Sequence, residues 1–330
     1  MLGKINLKNE NDVPVLLIIF NRPEKVKNLI QALRKVKPKK IFVAADGARD
    51  NNLEDLDKCN ETRELINSID WDCEIKRKFS DKNLGLSLRM ETAIDWFFEN
   101  NEYGIIFEDD CIPHPDFFRF SYEMLEKYKN NKNVMMVSGT NYQKGIKRGD
   151  ASYYFSKYAT IWGWATWKRA WEFYNKGTTT LPDFIKQNKI TEIFDNKKEQ
   201  DFWINNFKNP YIDPNGKERL TWATTWAYSL LKNKGLTIVP NVNLVQNIGY
   251  GYDSTHTRGS GRGWSFKTEK LGEIEHPKKI EVSNEADAYY FKTQHYKTVW
   301  DKFYNDLNVF LDFIKVKPLL IKILQKFGLR

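Results

Sequence analysis

Apolar runs alternate with amphipathic segments along the first 140 residues of the chain. Continuous apolar runs at 13–20, 40–45 and 105–107 are typical of strands that are covered on both faces of a parallel sheet. Weaker runs predict further strands at 73–79 and 133–138. Apolar residues at helical spacing predict helices at 23–33, 53–69, 86–98 and 115–129. The alternation predicts an α/β fold with a doubly wound, mostly parallel sheet.

The pattern changes after residue 140. Four tryptophans fall within 161–171, and residues 220–231 predict a helix. Two short strands are predicted at 236–240 and 242–245. The Gly-rich segment 250–264 predicts a loop. The second half is therefore expected to be mixed and rich in Trp.

Composition indicates a folded protein with a basic surface. The 330 residues are 41% hydrophobic and carry a net charge of +9. Such a charge suits anionic partners, or simply favours solubility. The basic residues are scattered and form no recognised module, so nucleic acid is not an expected partner. Three cysteines without metal spacing, and no visible signal peptide, predict a cytoplasmic protein.

Polar residues follow each of the first four strands. They are Asn21-Arg22, Asp46, the turn 81–85, and the acidic run Glu108-Asp109-Asp110. Sheets of this kind bind ligands beyond the carboxyl ends of their strands, so we expect these residues at one edge. The sequence contains neither GxGxxG nor GxxxxGK[ST], which disfavours NAD and P-loop chemistry.

The three acids predict a cation site. Adjacent carboxylates repel one another, and their oxygens suit a hard ion such as Mg²⁺ or Mn²⁺. If the chain stays extended, Glu108 and Asp110 share one side and Asp109 faces the other. The alternative is a solvated acidic turn.

Several segments carry a family resemblance in one order: 14–22, 42–46, 107–110, 115–118 and Trp162-Gly163-Trp164. They resemble GT-A-fold glycosyltransferases of the N-acetylglucosaminyltransferase I type, and more closely the bacterial HlpA-like, or hemolytic-protein-like, sugar transferases. The resemblance spans residues 13–257. It implies a Rossmann-like GT-A fold and a nucleotide-sugar donor, usually a UDP-sugar with Mn²⁺ or Mg²⁺. It also implies inversion at the transferred sugar.

The chain is expected to divide into three parts. Residues 1–140 are expected to form the nucleotide-sugar-binding half. Residues 141–257 are expected to form the acceptor and catalytic half of the same domain. Residues 258–330 are expected to hold a mobile loop and a basic amphipathic tail.

The resemblance also implies roles for individual residues. Arg22 would contact the diphosphate or ribose, and Asp46 the uracil edge. Asp110 would be the direct metal ligand, with Glu108 and Asp109 supporting the ribose and the metal's waters.

Further residues have a functional and an ordinary interpretation. Lys82, Asn83 and Arg89 would line the nucleotide pocket, or are surface residues. The turn 162–164 would lie near the sugar and acceptor, or is a packing joint. His256 would be a late metal ligand, or a surface histidine.

One position departs from the family pattern. An inverting transferase needs a base, and relatives commonly place an Asp where this chain has Ala223. The base is then elsewhere, with Asp201, Glu218 and Asp253 as candidates. Otherwise the donor's own phosphate takes that role, or the chain is an inactivated variant.

The tail at 316–330 has apolar residues on one helical arc, and the chain after Asp312 has five basic residues and no acid. That pattern suits a helix on the anionic inner face of the cell membrane, or one docked on its own domain. The sequence therefore predicts a bacterial transferase for polysaccharide biosynthesis, acting on a cell-surface glycan or lipid-linked acceptor. The alternatives are a catalytically impaired carbohydrate- or membrane-binding protein and a sugar nucleotidyltransferase.

Overall fold

The structure is a computed structural model that describes residues 9–174, 179–212, 218–249 and 266–295. Within them the strands are β1 (Val15–Ile19), β2 (Lys40–Ala45), β3 (Glu74–Phe79), β4 (Tyr103–Glu108), β5 (Cys111–Pro113), β6 (Val134–Ser138), β7 (Tyr153–Ser156), β8 (Trp164–Trp167), β9 (Tyr211–Ile212), β10 (Glu218–Arg219), β11 (Leu236–Pro240) and β12 (Val245–Asn247). The helices are α1 (Pro23–Arg34), α2 (Leu53–Glu64), α3 (Leu86–Asn100), α4 (Asp116–Lys127), α5 (Lys168–Trp171), α6 (Leu181–Lys186), α7 (Lys197–Phe207), α8 (Trp222–Lys232) and α9 (Asn284–Tyr290).

Eight of the described strands form one sheet in the order β3-β2-β1-β4-β8-β6-β11-β7. The first four are parallel to one another, and β11 is parallel to β6. Strand β8 runs antiparallel to both neighbours, and β7 runs antiparallel to β11. The predicted mostly parallel α/β sheet is therefore confirmed. Strands that precede residue 140 in the sequence and strands that follow it share this one sheet.

The predicted strand at 242–245 is wrong in its bounds. The strand lies at Val245–Asn247 and pairs with β5 in a separate ribbon. Strands β5, β7 and β8 have no counterpart among the predicted strands. They are three or four residues long, and β7 and β8 lie in aromatic stretches without alternation, so their pairing depends on distant partners.

The sheet is covered on both faces, as its apolar runs predict. Val15, Leu17 and Ile19 of β1 enter one buried cluster with residues of α1 and α4. Leu16 and Ile18 enter the other, with residues of α3 and α8. Successive side chains of a strand point to opposite faces, so a strand with no polar position needs a layer on each side.

Residues 266–295 pack back onto the sheet. Ser283 N–H donates to the Phe155 carbonyl, 2.8 Å away, which ties the start of α9 to β7. Asp287 of α9 is 2% exposed and accepts from Ser156 Oγ at 2.5 Å and from Lys157 N at 3.1 Å. This segment therefore covers the β7 edge of the sheet.

Candidate active site

The polar residues that follow β1, β2 and β4 lie at one edge of the sheet. β1 pairs in register with both neighbours, Ile19 opposite Ala45 and Ile18 opposite Glu108. The strands consequently end side by side. This edge holds the two side chains whose proximity the sequence argument requires, Arg22 and Asp110.

Arg22 joins two of the three acids. Its Nη1 lies 3.0 Å from Asp109 Oδ1 and 3.2 Å from Asp110 Oδ2. Asp109 is 5% exposed, and the side chain of Asp110 is 15% exposed. These carboxylates are therefore not a solvated acidic turn. The connection between β1 and α1 is short because Pro23 begins the helix directly after Arg22.

The expected alternation of the three acids is wrong. β4 ends at Glu108, and the chain turns at Asp109 and Asp110 instead of staying extended. The turn brings both aspartates to the same guanidinium. Side chains alternate between two sides only within a strand, and the strand ends at Glu108.

Burial and crowding perturb the ionisation of this group. Burial alone would lower the pKa of Arg22, but the carboxylates of Asp109 and Asp110 outweigh it and raise the pKa. Burial, together with the neighbouring carboxylates, raises the pKa of Glu108. Burial also raises the pKa of Asp109, although Arg22 opposes the shift. Three carboxyl groups thus share one arginine, and a further cation beside them would favour their ionised forms.

Asp110 has further partners that the sequence argument missed. Asn247 Nδ2 donates to Asp110 Oδ1 at 3.1 Å, and Ile248 N–H donates to the Asp110 carbonyl at 2.8 Å. These residues lie 137 and 138 positions away, at the end of β12. No local pattern could have revealed them, because the β5–β12 pairing alone brings the two segments together.

Asp46 organises the turn at 81–85. Its Oδ1 accepts from Leu84 N–H at 2.9 Å and from Gly47 N–H at 3.1 Å. Asn83 Nδ2 donates to the Gly47 carbonyl at 2.8 Å. Burial raises the pKa of Asp46, while the hydrogen bond from Leu84 opposes the shift. Asp46 and Asn83 are thus brought together, and both hold the loop beside the sheet edge.

Arg89 reaches the same carboxylate from α3. It is 4% exposed, and its Nε lies 3.7 Å from Asp46 Oδ1. Burial lowers its pKa, although Asp46 opposes the shift. Lys82 has an exposed side chain, and its carbonyl accepts from Gly47 N–H at 3.3 Å. Arg89 is therefore a buried residue of this corner, and Lys82 lies at its surface.

Gly163 lets the Trp turn approach the acidic strand. Its φ is +61°, and a Cβ there would lie 2.7 Å from Val245 Cγ1 and 3.1 Å from Phe107 Cε1. Trp164 is buried and packs on Trp226 of α8, with ring centroids 5.6 Å apart. Trp162 is half-buried, with its ring 5.5 Å from that of Tyr142. Trp164 is thus a packing residue, whereas Trp162 lies nearer the surface.

Two of the three candidate bases, Asp201 and Glu218, lie in the described residues. Asp201 has a side chain 55% exposed on α7 and lies 2.7 Å from Lys197 Nζ. Glu218 lies in β10, which leads directly to α8. Asp253 lies outside the described residues. Ala223 lies half-buried in the first turn of α8, where Trp222 N–H donates to Ser87 Oγ of α3 at 3.1 Å.

Asp110 supplies oxygen donors of the kind that a hard divalent cation takes, but not a complete set of ligands. Among the described residues no three His, Cys, Asp or Glu side chains converge as a complete cage. Mg²⁺ and Mn²⁺ favour oxygen ligands, and Mg²⁺ commonly uses one or two carboxylates plus phosphates and water. Arg22 already places a cation against Asp110. His256, the other predicted ligand, lies outside the described residues.

Comparison with known proteins gives no family assignment. No protein-family model matches the chain, and no curated protein matches it. Among solved structures, UDP-glucose pyrophosphorylase complexed with UDP-glucose has a TM-score of 0.34 at 10% identity, over 69% of this chain and 90% of that one.

Two other solved structures overlap less of the chain. Mannosyltransferase PcManGT from Pyrobaculum calidifontis, in complex with GDP-Man and Mn²⁺, has a TM-score of 0.32 at 12% identity, over 51% of this chain and 48% of that one. The 4-diphosphocytidyl-2C-methyl-D-erythritol synthase from Anaerococcus prevotii has a TM-score of 0.31 at 10% identity, over 48% and 72%. Likeness at this level carries no functional argument. The functional argument therefore rests on the geometry of the site.

The membrane hypothesis rests on residues that the structure does not describe. The tail at 316–330 lies outside the described ranges. In the part of the chain that is described, every helix is too short or too polar to cross a membrane.

Proposed function

We propose that this chain is a metal-dependent glycosyltransferase that moves a sugar from a nucleotide diphosphate donor, a UDP-sugar, to a glycan or lipid-linked acceptor. The observation that carries the proposal is the pairing of Arg22 with Asp109 and Asp110 at the carboxyl edge of the sheet. Asp46 holds the 81–85 turn at the same edge, beyond the end of β2, which is the strand next to β1. One side of the edge thus suits a diphosphate and the other a nucleoside.

The chemistry of sugar transfer matches this charge distribution. A departing nucleoside diphosphate gains negative charge as the glycosidic bond breaks, so cations must lie beside it. Asp110 would hold Mn²⁺ or Mg²⁺, which would supply part of that charge when bound. Arg22 would pair with the diphosphate, with Glu108 and Asp109 supporting the ribose and the metal's waters.

Asp46, Asn83 and Arg89 would form the nucleoside side of the pocket. The Asp46 carboxylate already accepts the amides of the 81–85 turn, so it would shape the base pocket through that loop as well as by direct contact. Lys82 is exposed beside it and would meet the phosphates or solvent.

The acceptor would bind near Trp162 and the start of α8. Among the candidate bases we favour Glu218, because its strand leads into α8. Helix α8 is in turn hydrogen-bonded to α3, next to the 81–85 turn. Asp201 is less suited because it lies on an exposed helix surface in an ion pair with Lys197. Asp253 stays the alternative base, and His256 keeps its predicted role as a late metal ligand. The reaction would invert the anomeric carbon.

The deciding experiment is a titration of the full chain with Mn²⁺ in the presence of UDP, GDP or CMP, followed by a donor-sugar hydrolysis assay. We expect UDP to bind in the presence of Mn²⁺, and we expect Asp110→Asn to abolish this binding. Asp57 is an exposed carboxylate on α2, so the control variant Asp57→Asn should leave the binding intact. If Asp110→Asn binds UDP and Mn²⁺ as well as Asp57→Asn does, the proposal is contradicted.

The products separate the rival activities. A glycosyltransferase releases UDP, whereas a sugar nucleotidyltransferase running in reverse consumes pyrophosphate and releases a sugar phosphate. The described connection between β1 and α1 is only Phe20 to Arg22, which leaves no room for a Gly-rich phosphate loop. UDP binding without turnover of any donor would indicate the catalytically impaired scaffold that Ala223 raises.

A further inference from the structure

We propose that Asn247 and Gly249 are positioning residues that aim the carboxylate of Asp110 at the divalent cation. The inference rests on the proposed function, because that function gives Asp110 its cation. It concerns a segment more than 130 positions from the acidic motif, joined to it by the β5–β12 ribbon.

The ribbon first fixes the backbone of Asp110. β5 begins at the next residue, Cys111, which pairs with Asn247 in antiparallel register. Ile248 N–H donates to the Asp110 carbonyl at 2.8 Å. The Asp110 backbone is thus held by the chain that follows β12, so only the side-chain torsions of Asp110 are left to be set.

Asn247 sets those torsions through both ends of its amide. Its Nδ2 donates to Asp110 Oδ1 at 3.1 Å, and its own Oδ1 accepts from Gly249 N–H at 2.7 Å. The residue is 7% exposed. Serine could not supply a donor and an acceptor at this separation, and aspartate would lack the donor. Because Asn247 occupies Oδ1 of Asp110, Oδ2 is left facing Arg22, whose Nη1 lies 3.2 Å away.

Gly249 leaves the space that the second oxygen needs. A Cβ at this position would lie 2.1 Å from Asp110 Oδ2 and 2.9 Å from Asn247 Oδ1. Any side chain would therefore push the carboxylate out of its present orientation. The atoms that a Cβ would meet all belong to side chains, so it is the Asp110 carboxylate and the Asn247 amide that would have to move.

An outer partner that orients a ligating carboxylate strengthens metal binding without touching the metal. A purely structural Asn247 would stabilise the ribbon and leave the metal affinity unchanged. The two roles are separable because the chain offers matched controls. Asn243 is a buried asparagine near the start of the same ribbon that donates to the Val245 and Phe266 carbonyls. Gly272 has open space where a Cβ would be added.

The test measures Mn²⁺ affinity of the full chain, with UDP present, by the electron paramagnetic resonance signal of free Mn²⁺. We expect Asn247→Ala to weaken Mn²⁺ binding about tenfold or more, and Asn243→Ala to lower thermal stability without that loss. We expect Gly249→Ala to weaken Mn²⁺ binding to a similar extent and Gly272→Ala to leave it unchanged.

The outcomes distinguish this inference from the proposed function. If the unmodified protein binds Mn²⁺ with UDP, but Asn247→Ala and Gly249→Ala match their controls, the positioning role is overturned and the proposed function stands. If the unmodified protein binds no Mn²⁺ with any nucleotide, the proposed function is overturned and this inference with it. Should Asn247→Ala fail to fold, the Gly249 and Gly272 pair decides.

Discussion

Arg22 Nη1 lies 3.2 Å from Asp110 Oδ2, so the guanidinium already occupies an oxygen of the carboxylate that we propose as the metal ligand. Two cations cannot share that oxygen closely without repulsion. A divalent ion that binds Asp110 must therefore shift Arg22, and a diphosphate offers the displaced guanidinium a new partner.

The first prediction concerns this exchange. Without nucleotide, Arg22→Gln should bind Mn²⁺ about tenfold more tightly than the unmodified protein, because a competing positive charge is removed. The same variant should bind UDP about tenfold more weakly or worse, since a charge-assisted hydrogen bond is lost. Calorimetric titration measures both constants. Arg22→Lys is the control that keeps the charge, and weaker Mn²⁺ binding by Arg22→Gln would contradict the exchange.

The second prediction concerns the buried pair of Asp46 and Arg89. Asp46→Asn should lower the free energy of unfolding by about 3 kcal/mol, because it leaves a buried guanidinium uncompensated. Adding Arg89→Met should recover part of that loss, with a coupling of about 2 kcal/mol in a double-mutant cycle. Urea unfolding followed by Trp fluorescence gives the values. Strict additivity of the two substitutions would show that the 3.7 Å pair contributes nothing to stability.

The third prediction separates crowding from backbone conformation at Gly163. Gly149 has a similar φ, +66° against +61°, but open space where a Cβ would be added. Gly149→Ala should therefore cost about 1 kcal/mol for the left-handed conformation alone. Gly163→Ala should cost about 3 kcal/mol, because the new methyl also meets Val245 and Phe107. Equal losses of unfolding free energy would refute the close packing of the Trp turn.

The fourth prediction is a pH dependence that comes from Asp287. Burial raises the pKa of this carboxyl to about 6 from an ordinary 3.8, although hydrogen bonds from Ser156 and Lys157 oppose the shift and Glu199 adds to it. The folded-state pKa is higher, so Asp287 contributes stability below pH 3.8 that is lost as the pH rises through 6. The loss amounts to about 3 kcal/mol.

Asp287→Asn removes this titration. The unfolding free energy of the variant, minus that of the unmodified protein, should rise by about 3 kcal/mol between about pH 4 and about pH 7. The difference is needed because His295, whose pKa burial lowers to about 4, acts in the opposite direction in both proteins. A difference that is constant with pH would contradict a raised pKa at Asp287.

The sequence by itself determined the layered sheet and the edge on which the site lies. β1 is apolar throughout, and β2 and β4 are apolar between Lys40 at the start of one and Glu108 at the end of the other, so such strands must be covered on both faces. Parallel strands joined by helices end at the same edge of a sheet. The order of strands and helices along the chain was therefore enough to place Arg22 and Asp110 at one edge.

Only the tertiary structure decided how the site residues are held. The turn that brings Asp109 and Asp110 to one guanidinium breaks the strand periodicity on which the sequence argument relied. Asn247 and Gly249 reach Asp110 through a ribbon closed across more than 130 residues. Periodicity and turn preferences act over a few neighbouring residues, whereas such contacts depend on how distant segments pack, and no local pattern encodes that packing.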